Sequence, residues 1–299
     1  MVFWRVLDNK VYDVFQTDKL GFEKSEPSFI PDDYLDAERF VIMRTAHGLG
    51  DWGIISAMPR LLKKKYPNCK VYIPSENLLK TLFGNLQNNW QRWDTPFKNA
   101  KRVFRNNPYV DGFVDTVSGD VFHDHYRIYD NDNIDTPLLE QMLNFWQFDE
   151  DARHDSQPEL YWTDGEIELG DKIIEEFVGQ REFGCLLISD RFGTQCGKYD
   201  EQSYQNDKQK IEKLLNDNKL PYFYWTYKSL DEVGFNFIDS VLDMHNMDIR
   251  LQLYIKSKAK INIGNQCGTN HCVVRYSDVY EVQRQTILGI NFVKGEVYI

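Results

Sequence analysis

The sequence predicts an α/β protein with two Rossmann-like, doubly wound parallel-sheet domains facing a cleft, and a β-hairpin appendage at the N-terminus. Three observations carry this expectation. From residue 40 onward, apolar runs of strand length alternate with amphipathic runs of helix length, a pattern that builds parallel sheets with right-handed crossovers. The 299 residues exceed the usual size of one compact core, so two domains of about 150 residues each are expected. Each half also carries one glycine-bearing strand-to-helix loop, Arg44–Gly53 and Asn265–His271. Doubly wound sheets bind ligands at such places, beyond the carboxyl ends of their strands.

Taken in order, Val2 to Val6 and Val11 to Phe15 flank Asp8-Asn9 and read as a hairpin, so residues 1–38 form the appendage. The first domain spans 39–155. It opens with strand Phe40–Met43, helix Trp52–Tyr66, a turn at Pro67-Asn68, strand Lys70–Ile73 and helix Asn77–Phe83; Asn107 to Asp115 adds a further turn and strand. The polar stretch Asp149–Pro158 reads as the linker. The second domain spans 156–299. Thr163 and Glu166 have capping-box spacing before helix Ile167–Val178. Strand Cys185–Ser189, a loop to Tyr199, a charged helix across Lys208–Asn216 and strand Pro221–Thr226 follow. Asp248 caps a helix through Lys256, strand Ala259–Gly264 delivers the chain to the second loop, and Cys272–Tyr276 starts the next helix.

Composition excludes several classes. A formal charge of −11 opposes polyanion binding, which rests on basic residues displacing counterions, so nucleic acid is not an expected partner. The basic run Lys63-Lys-Lys65 falls at a helix end, where cations favour the dipole. No run of 18 apolar residues or cleavable leader is present, and a cytoplasmic protein with no integral membrane segment is expected. The five cysteines, Cys69, Cys185, Cys196, Cys267 and Cys272, lack CxxC spacing and read as reduced thiols outside any disulfide framework or structural zinc site. His123-Asp-His125 offers two metal-type ligands without clear further partners, so no metal site is assigned. Trp90, Trp93, Trp146, Trp162 and Trp225 could stack on a sugar or base, but buried aromatics are the commoner case.

The two loops carry the chemistry. Gly48 and Gly50 allow unusual dihedrals and close approach of a ligand, and Asp51 stands where the first helical turn begins. A helix cap is the first reading of that carboxylate; a catalytic group at the mouth of a parallel sheet is the second. In the other loop, N–H groups at a helix start favour phosphate. Gly268 lets the backbone approach an anion, His271 adds a donor, and Lys198, ending the loop Gly193–Gly197, adds a point charge.

Two sets of residues resemble one family. Gly48-Leu-Gly-Asp51, Ser56-Ala-Met-Pro-Arg-Leu-Leu-Lys63, Tyr66-Pro67 and Asn107-Pro-Tyr-Val-Asp111 look like its N-terminal motifs; Ile261-Asn-Ile-Gly-Asn-Gln-Cys-Gly-Thr-Asn-His271 is similar to its V-I-G-N-D-S-G-P-M-H. The family is the ADP-heptose:lipopolysaccharide heptosyltransferases, family 9-like glycosyltransferases of the GT-B fold, and the likeness covers roughly residues 40–115 and 160–276. The resemblance implies metal-independent, inverting transfer of a sugar from a nucleotide-diphosphate donor to an acceptor hydroxyl, with no separate cofactor. It assigns Asp51 as general base, and Lys198, Gly268, Thr269, Asn270 and His271 to the donor. His47, Gly48 and Gly50 fall to the acceptor, a glycan or other hydroxyl compound. Gln266, Cys267 and Thr269 stand where the family has acid, serine and proline, which removes a negative charge and frees the donor from being ADP-heptose. Two other functions share this architecture: a non-catalytic nucleotide- or glycan-binding or assembly protein, and a nucleotide-sugar epimerase.

Overall fold

The computed structural model describes residues 4–7, 10–13, 39–42, 44, 47–83, 96–115, 121–123, 136–137, 139–140, 143, 148–188, 201–226, 228–282 and 295–299. The chain divides into two compact units, Met1–Tyr161 and Trp162–Ile299.

The first unit is built on a sheet of six strands, β1 (Trp4–Leu7), β2 (Lys10–Asp13), β3 (Arg39–Ile42), β4 (Lys70–Pro74), β5 (Gly112–Val114) and β6 (Val121–His123), in the order β2-β1-β6-β3-β4-β5. β3 pairs in parallel with both β4 and β6, and β4 pairs in parallel with β5. β1 and β2 pair antiparallel, and β1 joins β6 through Arg5 opposite Val121. The two strands of the expected hairpin therefore lie in the sheet, where β1 gives the edge of β6 a backbone partner.

The expected helix Trp52–Tyr66 is two helices, α1 (Leu49–Ile54) and α2 (Met58–Lys65). Pro59 is the cause: it has no N–H to give and its ring crowds the carbonyl four residues back, so the chain turns through Ile55–Ala57 and restarts with proline in the first turn. Ser56 seals the break, its hydroxyl donating to Gly53 O at 2.6 Å and accepting from Glu159 N at 2.8 Å. Helices α3 (Glu76–Phe83) and α4 (Asn99–Phe104) follow. The expected linker contains α5 (Glu150–His154), capped by Asp149. Beyond it, Arg60 donates from Nε to Glu159 (2.8 Å) and from Nη1 to Asp155 (2.6 Å). This fork fastens residues 155–159 to α2, and the division of the chain falls after Tyr161 instead of at 155.

The second unit contains α6 (Asp164–Val178), β7 (Gly184–Ile188), α7 (Glu201–Asn218), β8 (Pro221–Thr226), α8 (Leu230–Val233), β9 (Asp239–Asp243), α9 (Ile249–Lys258), β10 (Ile261–Asn265), α10 (Gly268–His271), β11 (Asp278–Val282) and β12 (Glu296–Tyr298). Its strand order is β12-β11-β10-β7-β8-β9, parallel throughout. Alternation along β7 sends Leu186 and Ile188 to a core shared with Ile211 and Leu215 of α7, and Cys185 to the opposite core with Val178 of α6 and Ile255 of α9. Helices on both faces make the sheet doubly wound. The Thr163/Glu166 capping box is present, and Glu166 also takes two hydrogen bonds from the Arg250 guanidinium, each 2.7 Å. Among the described residues, no helix is long and apolar enough to cross a membrane.

Candidate functional site

In the first unit, the order β5-β4-β3-β6 reverses direction of winding beside β3, so the loop leaving β3 lies at the switch point where such sheets receive ligands. Gly48 is the N-cap of α1 and Asp51 its third residue. The Asp51 carboxylate turns back to accept from Gly48 N–H through Oδ2 at 2.8 Å, and its Oδ1 stands 3.6 Å from Nη2 of the buried Arg44. One oxygen thus caps the helix while the group, 28% exposed, stays open to a ligand. Gly48 is needed for this close approach, because a Cβ there would meet Asp51 Oδ2 at 2.6 Å.

His47 and Gly50, expected at the acceptor, are instead interior residues. The His47 ring stacks on Trp52 and packs against Phe97, and its carbonyl accepts from Asn99 Nδ2 at 3.0 Å. Burial, helped by the charge of Arg44, lowers its pKa to about 3, so the ring is neutral and serves packing.

In the second unit the switch point lies between β7 and β10. The loop after β7 holds Lys198 and Cys196, which lie outside the described residues, as do Trp90, Trp93, Trp146, Asp124 and His125. The loop after β10 is described in full. Gly264 has φ of 149° and its Cα packs so closely on β7 that a Cβ would meet Leu187 O at 1.9 Å. Helix α10 is a single turn, and turns occupy Cys272–Tyr276 where a helix was expected. Asn270 N and His271 N both donate to Cys267 O, which leaves Gly268 and Thr269, both partly exposed, as the backbone that can face a ligand.

Asn270, expected at the donor, is wholly buried and its side chain is spent on the fold. It accepts from Lys256 Nζ at 2.5 Å and donates to Glu281 Oε1 at 2.8 Å. His271 is 7% exposed, with Nδ1 hydrogen-bonded to Glu296 Oε1. Gln266 donates to Tyr298 OH (2.5 Å), which donates in turn to Glu296 Oε2 (2.9 Å). Burial, with Glu296 nearby, pushes the Glu281 carboxyl well above the ordinary carboxylate range. Sequence reasoning missed Glu281 and Glu296. The one available signal was an acid next to valine and tyrosine in each of two short strands, Glu281 in Asp278–Val282 and Glu296 at the start of Glu296–Tyr298. Of the remaining candidates, Trp162 stands edge-on to Tyr254 beneath Arg250, and Trp225 stacks on His245. Cys69, Cys185, Cys267 and Cys272 form no disulfide among the described residues.

No family model matches the sequence, and neither does any curated protein. Solved structures do. The E. coli ADP-heptose lps heptosyltransferase II aligns over 88% of this chain and 90% of its own at 11% identity and a TM-score of 0.43, and the Bradyrhizobium fucosyltransferase NodZ over 82% and 95% at 13% identity and 0.43. A family 9 glycosyl transferase from Veillonella parvula aligns over 89% of this chain and 86% of its own, at 8% identity and a TM-score of 0.52. The chain is similar in fold to that Veillonella glycosyl transferase.

Proposed function

We propose that the protein is a glycosyltransferase that moves a sugar from a nucleotide-diphosphate donor to an acceptor hydroxyl, with inversion and without a metal ion at the diphosphate. The observation that carries this is the placement of both glycine-bearing loops at switch points of doubly wound sheets, one of them bearing the partly exposed Asp51 carboxylate. Asp51 takes the hydroxyl proton as the acceptor oxygen attacks the anomeric carbon, and the bond from that carbon to the diphosphate oxygen breaks with its electron pair leaving on the nucleotide. The cap bond from Gly48 fixes the carboxylate's orientation, and general-base assistance of this kind contributes about 10²–10⁴ in rate.

The loop Gly268–His271 receives the departing diphosphate. Backbone N–H groups of Gly268 and Thr269 face it, the imidazole of His271 donates from Nε2, and Lys198 adds charge from the neighbouring loop. The acceptor lies against Gly48. A nucleotide-binding protein without transferase activity is the second reading, favoured by the burial of the Asn270 side chain.

A thermal-shift screen against ADP, UDP, GDP and their sugars tests the donor assignment. Binding to the native state stabilises by about 2.7 kcal/mol at a ligand concentration a hundred times Kd. A selective rise in Tm with one nucleotide class is expected, and His271→Ala or Lys198→Ala should weaken binding by about 1–3 kcal/mol each. Unchanged affinity in both variants would remove the loop from the donor site.

A further inference from the structure

The geometry points to a buried divalent-cation site formed by His271, Glu281 and Glu296, beneath the loop Gly268–His271. The three side chains come from α10, β11 and β12, all are buried, and their donor atoms lie within 4.8 Å of one another. His271 Nδ1 and Glu296 Oε1 are in direct contact, so an ion bonded to both at about 2.2 Å takes the place of the proton that pair shares and spreads the two side chains apart.

The two carboxylates are held differently. Glu281 Oε1 accepts from Asn270 Nδ2 (2.8 Å) and Cys267 N (3.2 Å), while Glu281 Oε2 is buried and has no hydrogen-bond partner among the described residues. Glu296 Oε2 accepts from Tyr298 OH (2.9 Å), while its Oε1 is hydrogen-bonded to His271 Nδ1. One oxygen of each acid is thus held from outside the cluster, as in metal sites whose ligands are oriented by an outer shell, while inside it Glu296 Oε1 meets His271 Nδ1 and Glu281 Oε2 meets no donor among the described residues. A buried carboxylate oxygen without a donor is costly, and an ion accounts for it. Lys256, bonded to Asn270 Oδ1, places one positive charge beside the acids, and a cation at the inward oxygens favours the ionised form of both.

One imidazole and two carboxylates suit Mn²⁺, Fe²⁺ or Zn²⁺, in preference to Ca²⁺, which takes oxygen alone, and to Cu⁺, which takes sulfur. Ligation at Nδ1 fixes the His271 proton on Nε2. The ion is a support of the loop and takes no part in the transfer step. This inference stands apart from the glycosyl-transfer reading, since it rests on donor geometry alone.

The test uses the full chain with no nucleotide present. Protein stripped with EDTA and dialysed is titrated with Mn²⁺, Zn²⁺ and, anaerobically, Fe²⁺, and bound metal is counted by mass spectrometry. One ion per chain is expected, with affinity at least about tenfold weaker in Glu281→Gln, whose folding is checked by circular dichroism. Pulsed EPR of the Mn²⁺-loaded wild-type protein should show nitrogen coupling from one imidazole, a readout that needs no variant. Substoichiometric loading, equal affinity in Glu281→Gln, or absence of nitrogen coupling would each overturn the site. Nucleotide binding is measured separately, on metal-loaded and metal-free protein, so that failure of the cation site and failure of the donor assignment are told apart.

Discussion

Asp51 performs a structural task that is compatible with the proposed chemical one. Its carboxylate closes the first turn of α1 on Gly48 N–H, so Asp51→Ala should cost about 1 kcal/mol of stability, read as a lower urea midpoint, whereas Asp51→Asn retains an acceptor and should cost less. His47 makes a second prediction at this scale. Its folded pKa, about 3, lies below the unfolded value of 6.5. As pH falls through 6.5 the unfolded chain gains a proton that the native ring refuses, so stability declines from there toward pH 3. In His47→Gln the decline in that window should be shallower; an identical pH profile of the urea midpoint would contradict the assignment. The capping role of Asp51 was legible in the sequence because an acid after a glycine turn and before an amphipathic run stands where a helix begins. The interior roles of His47 and Asn270 were not, because a polar side chain in a loop looks the same whether it meets solvent, ligand or a buried partner 52 residues away, as Asn99 does at His47 O.

Elements were legible where periodicity and punctuation agree. The capping box at Thr163, strand Pro221–Thr226 and the Asp248 cap all stand in the structure. The break at Pro59 was hidden by continuous amphipathicity on either side, and the start of α7 at Glu201 by a run of polar residues, Glu201 to Lys210, with few apolar positions to count. The Arg250 fork onto Glu166 ties α9 to the N-terminus of α6. Burial favours the neutral acid, but the hydrogen bonds from Arg250 and the Thr163 N–H outweigh it and hold Glu166 at about 2. Because the folded value lies below the unfolded 4.5, this stabilisation is present above pH 4.5 and is lost as pH falls toward 2. Arg250→Ala, which strands Glu166 without its partner, should cost about 3 kcal/mol at pH 7 in chemical denaturation, and much less near pH 2. Gly264→Ala tests the contact of β10 with β7: the Cβ clash with Leu187 O and the positive φ together should cost at least about 2 kcal/mol.

At the scale of the whole chain, alternation of strand and helix gave parallel sheets, and both units share a central order in which a later strand joins the far side of the first, β5-β4-β3-β6 and β9-β8-β7-β10. Local patterns carry that much because right-handed crossovers leave few alternatives. Pairings across long stretches of chain are not local. Arg5 opposite Val121 and Arg60 on Glu159 decide where the N-terminal strands lie and where the chain divides, and no window of sequence contains both partners. The same holds for Glu296 and His271, 25 positions apart. At this scale we propose that Asp51 drives glycosyl transfer from a nucleotide-diphosphate sugar. Release of nucleoside diphosphate from a panel of nucleotide sugars with hydroxyl acceptors, compared in wild-type protein and Asp51→Asn alongside donor affinity, tests it most directly. Turnover with one donor class, falling about 10²–10⁴-fold in the variant while donor affinity is kept, is the predicted result; turnover untouched by the substitution, or binding without turnover in the wild-type protein, would contradict it.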